Sequence, residues 1–111
     1  MDFIKSLREI DRTDVPRAGG KGASLGELAK MGVPVPTGFV VLASTFEQFF
    51  KETDVNTEVD AMWKRINIKD NESIEESSEI IRNLILAKQF PEKIAGEISS
   101  AFDKLRVSLF V

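Results

Sequence analysis

Ala18-Gly19-Gly20-Lys21-Gly22-Ala23-Ser24-Leu25-Gly26 is the stretch on which the fold of this chain turns. Glycines let a backbone turn tightly and bring several N–H groups close to one anion. The spacing predicts a helix opening at Gly22 or Ala23 and running through Leu25, Leu28 and Ala29. Such a start adds unsatisfied N–H groups and the positive end of the helix dipole. Lys21 contributes a full positive charge on a flexible stem, suited to polyphosphate. The stretch therefore reads as a phosphate-binding loop, against the plainer alternative of a flexible loop with an incidental lysine. It is not a Walker A loop, which needs glycine where the chain has Val15 and a hydroxyl residue where it has Gly22. Nor is it a dinucleotide fingerprint, because Gly20 and Gly22 are followed by Leu25 where a third glycine belongs.

Working outward, Phe3-Ile4-Lys5-Ser6-Leu7 suits an opening strand or a helical turn, and Asp11 to Gly20 reads as a loop because of its charges, proline and glycines. Gly32 falls where a left-handed helix C-cap is wanted, with Lys30 favourably placed in the last turn. Pro34 and Pro36 force extended chain. Gly38-Phe39-Val40-Val41-Leu42 is continuously apolar and predicts a buried strand.

The second half is helical in rhythm. Ser44 to Glu47 fits a capping box opening a helix that would bury Phe46, Phe49 and Phe50. Thr57 to Ile66 places Val59, Met62, Trp63 and Ile66 on one face, with Trp63 read as core. Ser73 and Glu76 suggest another capping box, followed by a stripe of Ile74, Ile81, Leu84 and Ile85. Pro91 suits the first turn of a last helix carrying Ile94, Ile98, Ala101, Phe102 and Leu105. Val107-Ser108-Leu109-Phe110-Val111 reads as a closing strand. The predicted class is α/β, helix-rich with few short strands.

Composition narrows the chemistry. A chain of 111 residues, 42% hydrophobic and 30% charged, fits one soluble globular domain. No apolar run approaches the roughly 18–20 residues that span a bilayer, and no secretory signal opens the chain. A net charge of −3 argues against nucleic acid as partner. The acids gathered between Asp54 and Glu79 read as a solvated helical face, and adjacent ones such as Glu75 and Glu76 diverge on a helix, so no metal site is expected. Without cysteine there is no disulfide, thiolate nucleophile or cysteine zinc site, and the simplest compartment is the cytoplasm. Without histidine there is no phosphohistidine and no Ser-His or Cys-His pairing, so no catalytic residue is expected.

Gly19-Gly20-Lys21-Gly22-Ala23-Ser24-Leu25-Gly26-Glu27-Leu28, followed by Gly32-Val33-Pro34-Val35-Pro36-Thr37-Gly38-Phe39-Val40-Val41, resembles the opening of the phosphoenolpyruvate synthase and pyruvate phosphate dikinase family. The signature covers residues 15–50 well, and the helical part from 55 to 106 follows the family layout more loosely. The resemblance implies the helix-rich N-terminal subdomain of an ATP-grasp type domain, here a single partial domain over 1–111. It implies ATP as ligand, with Lys21, Gly19, Gly20 and Gly22 as ATP-binding residues and Mg²⁺ as cofactor in the parent enzyme. In that family ATP phosphorylates a histidine on a swivelling domain, and the phosphoryl group passes to pyruvate on a further domain. Pyruvate would thus be met only through domains this chain lacks. The family's arginine-rich Val-Arg-Ser-Ser segment should follow a strand like Val107 to Val111, so the expectation is a fragment that holds no cofactor strongly. Related readings keep the domain but change the acceptor, as in pyruvate phosphate dikinase, rifampicin phosphotransferases or glucan water dikinases. Another is a binding module that keeps the fold without the catalysis and pairs its terminal strand with a partner chain, and the uncovered strand also leads to an expectation of homo-oligomers.

Overall fold

The computed structural model describes residues 2–109, with side chains through Arg106. The chain is helix-rich. In order it forms β1 (Ile4–Ser6), two 3₁₀ turns (Leu7–Glu9 and Arg12–Asp14), α1 (Val15–Lys30), β2 (Phe39–Val41), α2 (Ala43–Thr53), α3 (Val55–Trp63), α4 (Asn71–Leu86) and α5 (Glu92–Leu109). These group into two compact units. One joins the chain up to Glu47 with the last helix from Glu92, and the other is Gln48–Pro91.

In the first unit β1 and β2 pair antiparallel, with Ile4 opposite Val41, Lys5 opposite Val40 and Ser6 opposite Phe39. Leu7 N–H donates to Gly38 O at 3.1 Å and Leu42 N–H to Phe3 O at 3.0 Å, so the ladder extends one residue past each end. The buried Thr45 hydroxyl also donates to Phe3 O, at 2.6 Å. The expected buried strand is only partly so. Phe39 and Val40 are half-buried and Val41 is exposed, in a sheet that has two strands among the described residues.

The expected loop from Asp11 to Gly20 is largely helical. The Asp11 carboxylate accepts from Thr13 N–H at 2.8 Å, and Asp14 Oδ2 accepts from Asp11 N–H at 3.0 Å, a reciprocal cap on the second 3₁₀ turn. Pro16 then lies in the first turn of α1, where its missing N–H costs no hydrogen bond. Gly19, at φ 78° and ψ 167°, breaks the helix, leaving Val15–Ala18 as one turn and Gly20–Lys30 as the body.

The body of α1 buries Gly22, Ala23 and Gly26. A β-carbon on Gly26 would lie 2.2 Å from the carbonyl oxygen of Ile10, which is itself fully buried. Only hydrogen fits there. At the far end Gly32 is left-handed, φ 83°, as the sequence predicts. Its N–H reaches Ala29 O at 3.2 Å while Val33 N–H reaches Leu28 O at 3.1 Å, the paired bonds of a Schellman cap.

α5 buries Ile94 fully and leaves Phe102 exposed. In place of the expected closing strand, Val107 to Leu109 continue α5, and the remainder of that stretch, Phe110 and Val111, lies outside the described residues. Adding residues to a formed helix needs no new nucleation, so Val107, Ser108 and Leu109 are readily absorbed. Self-association by strand pairing therefore has no terminal strand among the described residues.

In the second unit Val55, at the start of α3, is fully buried, while Trp63 is 70% exposed and not core as expected. The helix ends at Trp63, so the face read from Thr57 to Ile66 is not continuous. Both predicted serine caps are displaced. Asp70, not Ser73, caps α4 by accepting from Glu72 N–H at 3.1 Å, and the Ser73 hydroxyl accepts from Asn67 N–H at 3.2 Å. α2 opens at Ala43, one residue before Ser44. Of its phenylalanines Phe49 is buried, with ring centroids 6.1 Å from Phe50 and 5.3 Å from Phe90, whereas Phe46 is mostly exposed.

Gly26→Ala should lower the thermal midpoint by about 5 °C or more, since overpacking against fixed backbone costs about 1–3 kcal/mol. Gly20→Ala, whose β-carbon would meet nothing within 4 Å, should leave the midpoint close to wild type. Melting of both variants by circular dichroism checks the contrast, and equal midpoints would refute it.

Candidate functional site

The glycines of the 18–26 stretch divide by what surrounds them. Gly19 supplies a backbone conformation that other residues rarely adopt. Gly22 and Gly26 are buried, the first against the Val40 side chain and the second against Ile10. Gly20 is exposed, helical and surrounded by open space, so no contact within the chain requires a glycine there. It leaves bare backbone at the surface.

Lys21 lies between Gly20 and Gly22 and is exposed. Among the described residues its ammonium makes no ion pair or hydrogen bond. Its position in the first turn of the α1 body is electrostatically unfavourable, since cations are stabilised at helix C-termini and anions at N-termini. A lysine placed there contributes nothing evident to stability. With Gly20 beside it, it offers a charge and accessible main chain to an anion. The four residues read from the sequence as one loop are thus adjacent on one helix start, with Gly19, Gly20 and Lys21 outward and Gly22 inward.

The opposite end of α1 is tied down. Lys30 Nζ donates to Asp11 Oδ2 at 2.9 Å, and Glu27 Oε2 accepts from Arg12 N–H at 3.0 Å. The Thr13 hydroxyl first, then the Lys30 ammonium, hold the Asp11 carboxyl well below the usual carboxylate range. The same bond to Asp11 raises Lys30. This clamp was not anticipated from the sequence, although Asp11 and Asp14 three apart, ahead of a first-turn proline, carry its signal. Among the described residues no group of three or more acidic, histidine or cysteine side chains could hold a metal ion. No described helix is long and apolar enough to cross a membrane.

Residues 15–109 match the model of the pyruvate phosphate dikinase, AMP/ATP-binding domain family. This chain belongs to that family. The match begins at the first residue of α1 and includes the whole glycine-lysine stretch. Among curated proteins the chain is similar to a probable phosphoenolpyruvate synthase of Methanocaldococcus jannaschii, 39% identical over 105 residues that make up 95% of this chain and 9% of that protein. It is also similar to the phosphoenolpyruvate synthases of Pyrococcus furiosus, at 30% identity over 93% of this chain and 16% of that protein, and of Pseudomonas aeruginosa, at 31% over 95% and 14%. The chain thus spans between 9% and 16% of these relatives' lengths.

The clamp yields a pH test. Asp11 titrates lower in the folded chain than in the unfolded one, so its contribution is present at neutral pH and is lost as pH falls below about 4. Lys30 is raised, so its contribution holds below about pH 10 and is lost above. Asp11→Asn should lower the thermal midpoint at pH 7, by a margin that narrows steadily as the pH is taken from 4 towards 2. A midpoint difference that persists unchanged into acid would show that the carboxylate charge is not what holds the clamp.

Proposed function

We propose that this chain forms part of the ATP-binding domain of a phosphoenolpyruvate synthase, a pyruvate, water dikinase of ATP-grasp type. The observation that carries the reading is the uncompensated Lys21 beside open Gly20 at the start of the α1 body, within the segment matched by an AMP/ATP-binding family. The names of the curated relatives favour a phosphoenolpyruvate synthase over a pyruvate phosphate dikinase as the parent. In this reading Lys21 contacts the ATP phosphates through its ammonium, and Gly19, Gly20 and Gly22 contribute main chain. The chain has no histidine, so the phosphohistidine that relays the phosphoryl group belongs to another part of the protein. Mg²⁺ arrives with the nucleotide, and its protein ligands are not assigned to this chain. Pyruvate is likewise met elsewhere.

A loop and one lysine orient an anion but supply neither an adenine pocket nor a metal clamp. The chain by itself should therefore bind MgATP at about millimolar affinity, roughly −4 kcal/mol, and form no AMP with pyruvate. Lys21→Ala should weaken that binding by about ten-fold or more, since a charge-assisted contact contributes about 1.5–3 kcal/mol. Titration of the ¹⁵N-labelled chain with MgATP reads the affinity and shows whether the amides of Gly19 to Gly22 shift. Equal affinity in Lys21→Ala, or shifts confined to other residues, would overturn the assignment.

A further inference from the structure

The place at which Lys21 is presented depends on its neighbour Gly22. Gly22 is buried, and a β-carbon there would lie 3.2 Å from Val40 Cγ2, 3.5 Å from Val40 Cγ1 and 3.4 Å from Ala18 Cβ. In a regular helix β-carbons four apart are about 5–6 Å distant. The break at Gly19 has thus drawn the preceding turn unusually close to Gly22.

Val40 has little freedom to give way. Its backbone is at the centre of β2, opposite Lys5 in the ladder, and its β-branched side chain is stiff about χ1. A side chain at position 22 would therefore be accommodated by lifting the start of the α1 body, not by moving the sheet. At the other end the helix cannot follow freely, because Gly26 is seated on the Ile10 carbonyl and Lys30 and Glu27 are bonded to the second 3₁₀ turn. The strain would concentrate at residues 19–22, which present the candidate phosphate contacts.

We propose that Gly22 and Val40 form a positioning pair, in which the bare α-carbon of Gly22 lets α1 rest on β2 at the height that aims Lys21 and the Gly20 main chain at the nucleotide phosphates. This rests on the phosphate reading of Lys21. It assigns the glycine requirement at position 22 to packing from within the chain, not to close approach by ligand. Val40 touches no ligand and acts only through Gly22.

Substitution on each side of the contact separates these cases. The 111-residue chain and its Gly22→Ala, Val40→Ala, Gly22→Ala/Val40→Ala and Lys21→Ala variants are titrated with MgATP by NMR and melted by circular dichroism. A shift of a few tenths of an ångström at the helix start moves the main-chain N–H groups, which cannot swing to follow the anion, so Gly22→Ala should weaken binding by about five-fold, the loss of roughly one hydrogen bond. In the Val40→Ala background, where the room taken by Cγ1 and Cγ2 has been opened, Gly22→Ala should cost no more than about two-fold relative to Val40→Ala alone. Val40→Ala and the double variant should both melt below wild type, having lost an apolar side chain. The affinity cost of Gly22→Ala is then relieved while stability is not restored, a pattern that a purely structural role would not give. Gly22→Ala binding as wild type, or costing as much in the Val40→Ala background as it does alone, would overturn the pair. Binding in the wild-type chain that does not depend on Lys21 would bring down the phosphate reading first, and the pair with it.

Discussion

The first unit depends on one close approach, that of α1 to the main chain at Ile10. With hydrogen in place of a side chain at Gly26, the helix backbone lies directly over the Ile10 carbonyl. Dispersion falls off steeply with separation, so a contact of this kind packs two backbones far more tightly than any pair of side chains could. Ile10 is consequently sealed from solvent, together with Phe3, Leu7 and Ala23. The two 3₁₀ turns between β1 and α1 are the connection short enough to bring Ile10 there. Their polar ends are satisfied by their own caps and by Glu27 and Lys30 reaching back from the helix.

That approach fixes the helix along its length. Once Gly26 is seated, the positions one turn earlier and one turn later have no choice of face. Gly22 must meet the sheet at Val40, and Lys30 must meet the turn at Asp11. The Gly19 break completes the arrangement by turning the preceding residues away, so that the helix body starts at the surface with its lysine outward. A loop that could have been mobile is instead mounted on a braced helix.

The signature from Gly19 to Val41 was legible because glycine and proline act locally. Gly32 adopts the left-handed cap expected of it, and the prolines at 34 and 36 precede a strand where one was read. Reading failed where a signal had two meanings. Pro16 and the charges around it suggest a loop, yet the same residues make a capped 3₁₀ turn and a first helical turn. Serine signals at 44 and 73 lost to starts one or two residues earlier, where Leu42 O and the Asp70 carboxylate take the first N–H groups. Trp63 and Phe102 follow helical apolar spacing but are exposed, since periodicity shows that a face is apolar and not that something covers it. At the site, the lysine and glycines were legible as a group, but not their separate duties. Whether a glycine is needed for its φ, for a neighbour or for a ligand depends on contacts distant in sequence.

Lys21 and Lys30 show how position alone divides one residue type into two roles. Both are exposed lysines on the same helix. Lys30 is in the last turn, where the dipole favours a cation, and its ammonium meets a carboxylate already held in its charged form by Thr13. Each of those interactions favours the folded chain. Lys21 is in the first turn of the body, where the dipole opposes it, and among the described residues no carboxylate answers it. An anion bound at that point would gain from the lysine and from the helix start together, so what is unfavourable in the free chain becomes favourable in the complex. The difference in interaction between those two states is the free energy available for binding. Pairing Lys21 with an acid of the chain would remove that difference and leave a second structural clamp where the fold now presents a binding charge.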